Sequence, residues 1–343
     1  MSKTAVITGI TGQDGFYLAH YLLEQGYRVV GLVRRTSLPT QTRLRTLRGS
    51  PNLHLVNGDV TDSSCVQRIV KEFRPDEFYH LAAQSHVGMS WEYAGLTSQV
   101  TGIGVLNCLE AVRSEKPDCR FYFAGSSEQF GNSIGKPVEG EIQRYLNEDS
   151  RMEPESPYAA AKVFGYNITR VYRRSFDMFA ACGILFNHES PVRGEEFVTR
   201  KITSNLARVK WGLQEYVELG NMDACRDWGF AGDYVRAMHA MLQQDEPDDF
   251  VIATGETNSV KSFFNACCEW FNLNPEGVYR VNPKYMRPKD VEVLLGDSSK
   301  AQNALGWEPK CHFEELVEKM CQYDYHLQSP DPSYSRKSDE YLF

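Results

Sequence analysis

Two hydrophobic periods alternate along the first half of the chain. TAVITG (4–9) is a short β-branched run ending in glycine; YRVVGLVRR (27–35), LHLVNGDV (53–60), DEFYHLAA (76–83) and CRFYFAG (119–125) are further strand-like runs. Between them GFYLAHYLLEQG (15–26), SSCVQRIVKEF (63–73) and VTGIGVLNCLEAVRS (100–114) place apolar residues at helical spacing, the second opened by a serine cap. PYAAAKVFGYNITRVYRRSF (157–176) reads as helix and MFAACGILF (178–186) as strand. Strands alternating with helices imply βαβ crossovers and a parallel sheet covered on both faces.

After residue 187 the alternation breaks down into helix-like stretches (FVTRKITSNLARVKWG, GDYVRAMHAMLQQ), short strands and proline-rich loops. The predicted fold is α/β, a Rossmann-type doubly wound sheet whose C-terminal edge is covered by a smaller, chain-interrupted lobe. The dinucleotide-binding domain is expected over 1–187 plus about 230–258, and the lobe over about 188–229 plus 259–328. The polar, proline-punctuated tail SPDPSYSRKSDEYLF (329–343) reads as peripheral or partly disordered.

Composition narrows the function classes. Hydrophobic residues at 42% and charged residues at 24% fit an ordinary globular protein. A net charge of −8 supplies no global basic field for nucleic acid or a membrane surface. The nine cysteines have no disulfide-like or zinc-like frame and read as free thiols in a reducing compartment. The histidines form no metal-ligand spacing, so no metal is predicted. No stretch reaches the roughly 20 apolar residues of a membrane span, and MSKTAVITG runs straight into a strand without a signal-peptide pattern. The expected location is cytoplasmic.

GITGQDG (9–15) follows the first strand and opens the first helix. Gly9 suits a tight turn, Gly12 close approach of a pyrophosphate, and Gly15 close helix–sheet packing, with the helix N-terminus facing the phosphates. The second strand ends in Arg34 and Arg35 with no acid, which favours the 2′-phosphate of NADP over the free ribose of NAD; a solvated strand end is the alternative. Asp59 after the third strand suits either the adenine edge or a turn. Tyr158 and Lys162 lie four apart on one helix and share a face. An ammonium beside a phenol, close to a cationic nicotinamide, is expected to lower the tyrosine pKa and make it a base.

FAGSSEQFG (123–131) ends the fifth strand with two hydroxyls and a carboxylate. It reads as a turn, a helix cap or a catalytic cluster. At the C-terminal sheet edge Ser126 would meet the substrate hydroxyl that Tyr158 deprotonates. Dehydrogenation alone needs no Glu128. A carboxylate there is useful when a C–H proton next to a new ketone must be removed; capping or a salt bridge is the other reading.

Together GITGQDG, VRR, LAAQSHV (81–87), SSE, SPYAAAK, GILFNHESPVRGEEFVTRK (183–201), LGNMDACRDWGFAGDYV (219–235), DDFVIATGE (248–256) and RPKDVEVLLGD (287–297) resemble the GDP-mannose 4,6-dehydratases, extended short-chain dehydrogenases/reductases, from residue 4 to about 325. The resemblance implies a lyase with an internal NADP redox cycle. Tyr158 takes the C4-hydroxyl proton as hydride leaves C4, Glu128 removes the C5 proton, water leaves C6, and hydride returns to C6. Lys162 orients the ribose, and Ser127 assists the departing water. Implied cofactor contacts are Gly9, Thr11, Gly12, Gln13, Asp14, Arg34, Arg35, Asp59, Val60, Ala83, Ser85, Tyr158, Lys162, His188 and Arg193. Implied nucleotide-sugar contacts are Ser85, Asn187, Lys201, Arg226 and Arg287, the last three being cations suited to a diphosphate. The resemblance also implies a homo-oligomer, dimer or tetramer, assembled partly through the basic segment 34–49.

Several positions depart from the family pattern. Ser126 stands where threonine is common, Leu96 where tyrosine occurs, Val192 where arginine is frequent, and 132–155 is long. These leave GDP-manno-heptose beside GDP-mannose as substrate. A reductase or epimerase of GDP-sugars would not need Glu128. A non-catalytic NADP sensor would be expected to lack Tyr158 or Lys162.

Overall fold

The computed structural model describes residues 2–37, 42–133, 136–137, 144–286, 291 and 293–343. β1 (Thr4–Thr8), α1 (Gln13–Glu24), β2 (Arg28–Val33), β3 (Leu53–Asn57), α2 (Ser63–Phe73) and β4 (Glu77–His80) alternate as the hydrophobic pattern predicts. A short α3 (Ala94–Thr97) runs through a π-helical turn at Ser98–Ile103 into α4 (Gly104–Glu115), then β5 (Arg120–Ala124). The expected helix over 100–114 is therefore regular α-helix only from Gly104 onward. A two-residue pair, β6 (Lys136–Pro137) and β7 (Arg144–Tyr145), lies in the long segment before α5 (Pro157–Phe176) and β8 (Ala180–Leu185).

The remaining chain contributes β9 (Asn187–Glu189), α6 (Val198–Lys210), β10 (Val217–Leu219), β11 (Cys225–Arg226), β12 (Trp228–Phe230), α7 (Ala231–Met241) and β13 (Asp249–Ile252). It ends with β14 (Asn258–Ser259), α8 (Val260–Phe271), β15 (Tyr279–Val281), β16 (Val293–Leu294), α9 (Ser299–Leu305), α10 (Phe313–Leu327) and α11 (Pro332–Ser335). The main sheet has seven strands in the order β13-β8-β5-β4-β1-β2-β3, paired parallel throughout. β1 is flanked by β2 on one side and β4 on the other. The strand order reverses there, and the crevice beyond the carboxyl ends of β1 and β4 is where such sheets hold ligands.

Successive strand residues face opposite layers. Ala5, Ile7, Tyr79 and Tyr122 face the core shared with α1, α7, α8 and α10; Val6, Val30, Phe78 and Phe121 face α2, α4 and α5. β9 pairs with β12, β10 with β15, and β11 lies between β14 and β16. These small sheets and the packed trio α6, α8 and α10 build the region beside the sheet edge.

Two sequence expectations change. α2 is capped by Asp62, whose carboxylate accepts from the N–H groups of Ser64 (3.0 Å) and Cys65 (3.1 Å), rather than by a serine. The tail packs instead of straying: Tyr17 donates to the Leu342 carbonyl at 2.6 Å, Leu342 and Ser338 are buried, and the Phe343 ring stacks on His20 at 4.1 Å. Its polar composition hid this terminal apolar pair, which closes over α1. All nine cysteines are free, eight of them buried and Cys225 partly exposed. Among the described residues no helix is long and apolar enough to cross a membrane, and no group of His, Cys, Asp and Glu is arranged to hold a metal.

Candidate active site

The loop between β1 and α1 shows why it is glycine-rich. Gly9 has φ +74°, and a Cβ there would stand 2.8 Å from the Ala82 backbone nitrogen. A Cβ on Gly15 would lie 2.4 Å from the Gly9 carbonyl oxygen and 2.5 Å from the Ile10 Cα, so helix and loop meet closer than any side chain allows. Gly12 is the N-cap of α1 and offers no side-chain cap, which leaves the first N–H groups of the helix facing outward from the loop.

Gln13 and Asp14 turn the other way, onto the segment after β8. Gln13 Nε2 donates to the His188 carbonyl (3.0 Å) and to Asp14 Oδ1 (3.1 Å), and the Ser190 hydroxyl donates to Gln13 Oε1 (2.6 Å). His188 meets Asp14 Oδ2 through Nε2 (2.8 Å) and the Phe186 carbonyl through Nδ1 (2.7 Å). Both neighbours only accept, so both ring nitrogens donate and the ring is an imidazolium. Burial opposes both charges, yet the pairing holds the Asp14 carboxyl down at about 2 and raises His188.

Arg34 and Arg35 are exposed just beyond β2. Asp59 Oδ1 accepts from the Thr61 N–H (2.9 Å) and hydroxyl (2.8 Å), so this oxygen makes the turn. The Val60 carbonyl accepts from Asn107, Ala83 is half-buried and Ser85 exposed, all beyond the carboxyl ends of β3 and β4.

The stretch after β5 is both a cap and a cluster. Ser126 Oγ accepts from the Glu128 N–H (3.3 Å) and Gln129 Oε1 accepts from the Ser126 N–H (2.8 Å), a capping box on the single 3₁₀ turn Ser127–Phe130. Gln129, not Glu128, closes the box. Ser126, Ser127 and Glu128 are all buried. The Ser126 hydroxyl also lies near enough to the phenol of Tyr158 to lower its pKa; Tyr158 is on the first turn of α5, where Ser156 caps the helix and Pro157 starts it.

Desolvation is the main influence on the Tyr158 phenol. Burial dominates and lifts its pKa to about 12, the nearby Glu128 charge adding to the rise while Ser126 and Arg193 oppose it. Lys162 lies 5.7 Å from the Tyr158 ring centroid, but its ammonium donates to the Ala124 carbonyl at 2.6 Å, and burial lowers its own pKa to about 8. Spacing alone showed the shared helical face; it did not show how far desolvation raises the phenol.

Of the nucleotide-sugar candidates, Asn187 lies on β9, Lys201 on α6 and Arg226 on β11. Asn187 on β9 has a buried Oδ1 with no partner among the described residues. Arg193 pairs with Glu189 (3.2 Å) and stacks on Phe197 at 3.8 Å. Lys201, its pKa lowered by burial, sits 3.6 Å over the Tyr285 ring in a cleft of about 480 Å³ that Asn205, Gln214, Tyr216 and Glu218 also line. Arg226 is buried in the small sheet. Arg287 and much of the 132–155 segment lie outside the described residues.

Two residues escaped sequence reading. Asp227 is buried and accepts from Thr254 N–H (2.8 Å) and hydroxyl (2.7 Å), Gly255 N–H (3.0 Å) and Gly296 N–H (3.3 Å), knitting three segments behind Arg226; burial pushes its pKa to about 6 despite these donors. Arg43 donates to the carbonyls of Val192 (2.7 Å) and Thr11 (3.2 Å). Nothing in the arginine-rich run 34–49 separates it from its neighbours.

Comparison with known proteins identifies the family. Residues 6–320 match the family model described as GDP-mannose 4,6 dehydratase. GDP-mannose 4,6 dehydratase 2 of Caenorhabditis elegans is 46% identical, over 96% of this chain and 91% of its own. GDP-mannose 4,6 dehydratase 1 of Arabidopsis thaliana is 47% identical, over 95% of this chain and 90% of its own. The corresponding Homo sapiens protein is 43% identical, over 96% and 94%. The fold is similar to that of dTDP-glucose 4,6-dehydratase from Bacillus anthracis, with a TM-score of 0.81 at 18% identity and 99% of both chains covered. By sequence match across nearly its whole length, the chain belongs to the GDP-mannose 4,6 dehydratase family.

Proposed function

We propose that this protein is an NADP-dependent GDP-mannose 4,6-dehydratase that converts GDP-mannose into GDP-4-keto-6-deoxymannose. The observation that carries the reading is a buried carboxylate, Glu128, on the turn capped by Ser126, whose hydroxyl lowers the pKa of the buried Tyr158. Oxidation of an alcohol needs the hydroxyl pair; only elimination needs the carboxylate.

The glycine loop fits a dinucleotide: side chains are excluded at Gly9 and Gly15, and the end of α1 has no side-chain cap. The exposed Arg34 and Arg35 favour a 2′-phosphate, hence NADP. When bound, the cofactor accepts hydride from C4, returns it to C6, and in its oxidised form brings a positive charge that favours the phenolate of Tyr158. Ser126 holds the C4 hydroxyl and Tyr158 takes its proton. Lys162 orients the ribose. Glu128 removes the proton from C5, acidified by the new ketone, and passes it to the departing C6 hydroxyl, which leaves as water beside Ser127; as hydride returns to C6 a proton returns to C5, balancing the one Tyr158 took from the C4 hydroxyl. Asn187, Lys201 and Arg226, with Arg287, bind the nucleotide-sugar, the three cations meeting its diphosphate.

In this reading the sheet with residues 1–187 and about 230–258 forms the cofactor domain, and about 188–229 with 259–328 the GDP-sugar lobe. Leu96, Ile103, Phe164, Val171 and Phe176 are exposed apolar side chains on the α3–α4 and α5 stretches, a face suited to a second copy of the chain. Free, mostly buried thiols suit a cytoplasmic protein.

The test is incubation with NADP⁺ and, in parallel, GDP-mannose or GDP-manno-heptose, followed by mass spectrometry of the sugar. Loss of one water from GDP-mannose without net NADPH supports the reading. Loss from the heptose alone moves the substrate to GDP-manno-heptose, and loss from neither refutes dehydration.

A further inference from the structure

We propose that Gly131 is a positioning residue: its contact with the backbone of Glu153 sets Glu128 against Tyr158 and so keeps elimination in step with oxidation. The inference rests on the roles of Glu128 and Tyr158 in the proposed function, and it gives the end of the long segment 132–155 a part in the chemistry.

The two groups are joined by a short path. Gly131 follows the 3₁₀ turn three residues after Glu128, and Glu153 lies five residues before Tyr158. Gly131 has φ +55° and ψ −132°, a conformation that side chains disfavour. A Cβ there would stand 1.9 Å from the Glu153 carbonyl oxygen and 2.9 Å from Glu155 Cγ, so the two backbones meet with no room between them. Beside this contact Gln129 Nε2 reaches Met152 Sδ at 3.5 Å. The stretch that carries Met152 and Glu153 is held on its own account. The Leu146 N–H donates to the Leu295 carbonyl (2.9 Å), the Leu146 carbonyl accepts from the Asp297 N–H (2.9 Å), and Glu148 Oε1 accepts from the Val251 N–H (2.6 Å). Three residues after Glu153, Ser156 caps α5, accepting from the Ala159 N–H at 3.1 Å. Glu153 is therefore a held surface on which the turn rests.

The other end of the turn is fixed by the sheet. The Gly125 N–H donates to the Gly183 carbonyl at 2.7 Å, and Lys162 ties α5 to β5 through the Ala124 carbonyl at 2.6 Å. Ser126 and Tyr158 keep their places when the far end of the turn shifts. Glu128 lies between the fixed end and Gly131, close enough for its charge to act on the Tyr158 phenol. A side chain at residue 131 would force turn and stretch apart by about 1 Å, and a misplacement of that size costs on the order of 100-fold in rate. Oxidation uses Ser126 and Tyr158, whereas elimination uses Glu128, so the loss falls on elimination.

The experiment compares wild type, Gly131→Ala and Met152→Ala on GDP-mannose and on GDP-mannose deuterated at C5. It reads water loss by mass spectrometry and enzyme-bound NADPH by its near-ultraviolet absorbance during turnover. Gly131→Ala is expected to lower kcat about 100-fold. It should also enlarge the C5 isotope effect and hold a larger share of the cofactor as NADPH, because hydride has left C4 and the next step waits. Met152→Ala, which removes the Gln129 contact and leaves Gly131 in place, should move the same readouts in the same direction by less. A merely structural glycine would lower the unfolding temperature and the amount of active enzyme while the isotope effect and the NADPH share stay at wild-type values. That result overturns the proposal and leaves the proposed function standing. A smaller NADPH share, the mark of a slowed C4 step, overturns it as well. Should Gly131→Ala not fold, Met152→Ala decides alone, and an unchanged isotope effect there is equally fatal. If wild type removes water from neither GDP-mannose nor GDP-manno-heptose, the proposed function falls and this inference with it.

Discussion

Replacing Ser126 by alanine separates the two duties of one hydroxyl. As a cap, Ser126 Oγ accepts from the Glu128 N–H at 3.3 Å, long for such a bond, so its loss is expected to cost about 0.5–1 kcal/mol of stability. As a partner of the phenol it lowers the pKa of Tyr158. A hydrogen bond to a charged group is worth about 1.5–3 kcal/mol, roughly one to two pKa units. The acid limb of the kcat/KM profile should therefore move up by about one to two units, and the rate near neutral pH should fall about 10- to 100-fold, recovering as pH rises. Water loss followed across roughly pH 6–10, beside a denaturant titration, reads both effects. Ser126→Thr keeps the hydroxyl and should keep both. Gln129→Met breaks the bond between the Ser126 N–H and Gln129 Oε1 (2.8 Å) without touching the phenol, so stability should fall while the limb stays. A rate loss in Ser126→Ala with the acid limb at an unchanged pH would refute tuning of Tyr158; an unchanged rate with a weakened turn would leave Ser126 a cap alone.

Glu128→Gln should still bind NADP⁺ and GDP but lose water elimination; normal turnover would place the C5 base elsewhere. Arg35→Glu should weaken NADP binding well beyond its effect on NAD, and equal losses in a parallel titration would remove the 2′-phosphate assignment. Asp14→Asn tests the ion pair. The Asp14 pKa stands at about 2 instead of 3.8, so at 1.36 kcal/mol per unit the carboxylate contributes on the order of 2 kcal/mol. A depressed acid contributes fully above 3.8 and loses that stability as pH falls through about 2; the raised His188 contributes below its ordinary 6.5 and loses it as pH rises through its folded value. The difference between wild type and Asp14→Asn in denaturant unfolding should thus be largest at mildly acid pH and shrink on both sides, and a difference flat with pH would refute the pairing.

Much of this architecture was legible because it is local. β-branched runs and helical stripes marked the elements from β1 to β8, and α5 runs from Pro157 to Phe176 as read, with serine before proline at its start. Elsewhere local signals competed. Thr61, Asp62, Ser63 and Ser64 all look like caps, and only geometry shows that the Asp62 carboxylate reaches two N–H groups. The Ser126…Gln129 spacing is itself a capping-box signal, hidden by attention to the carboxylate between them. α8 and α10 pass unread because the expected alternation had already ended. What spacing cannot carry is long-range: the burial that raises Tyr158, the Ala124 carbonyl that receives Lys162, and the span of Arg43 between Thr11 and Val192 all join residues distant in sequence.

The distribution of thiols has a practical consequence. Eight of the nine sulfurs are shielded by the core, and the partly exposed one, Cys225, adjoins Arg226. A maleimide fluorophore added to the folded protein should attach at that single position. No cysteine would have to be engineered in or out to place a dye beside Arg226, a residue proposed to bind the nucleotide-sugar, and a change in its emission on adding GDP-mannose would report on that proposal.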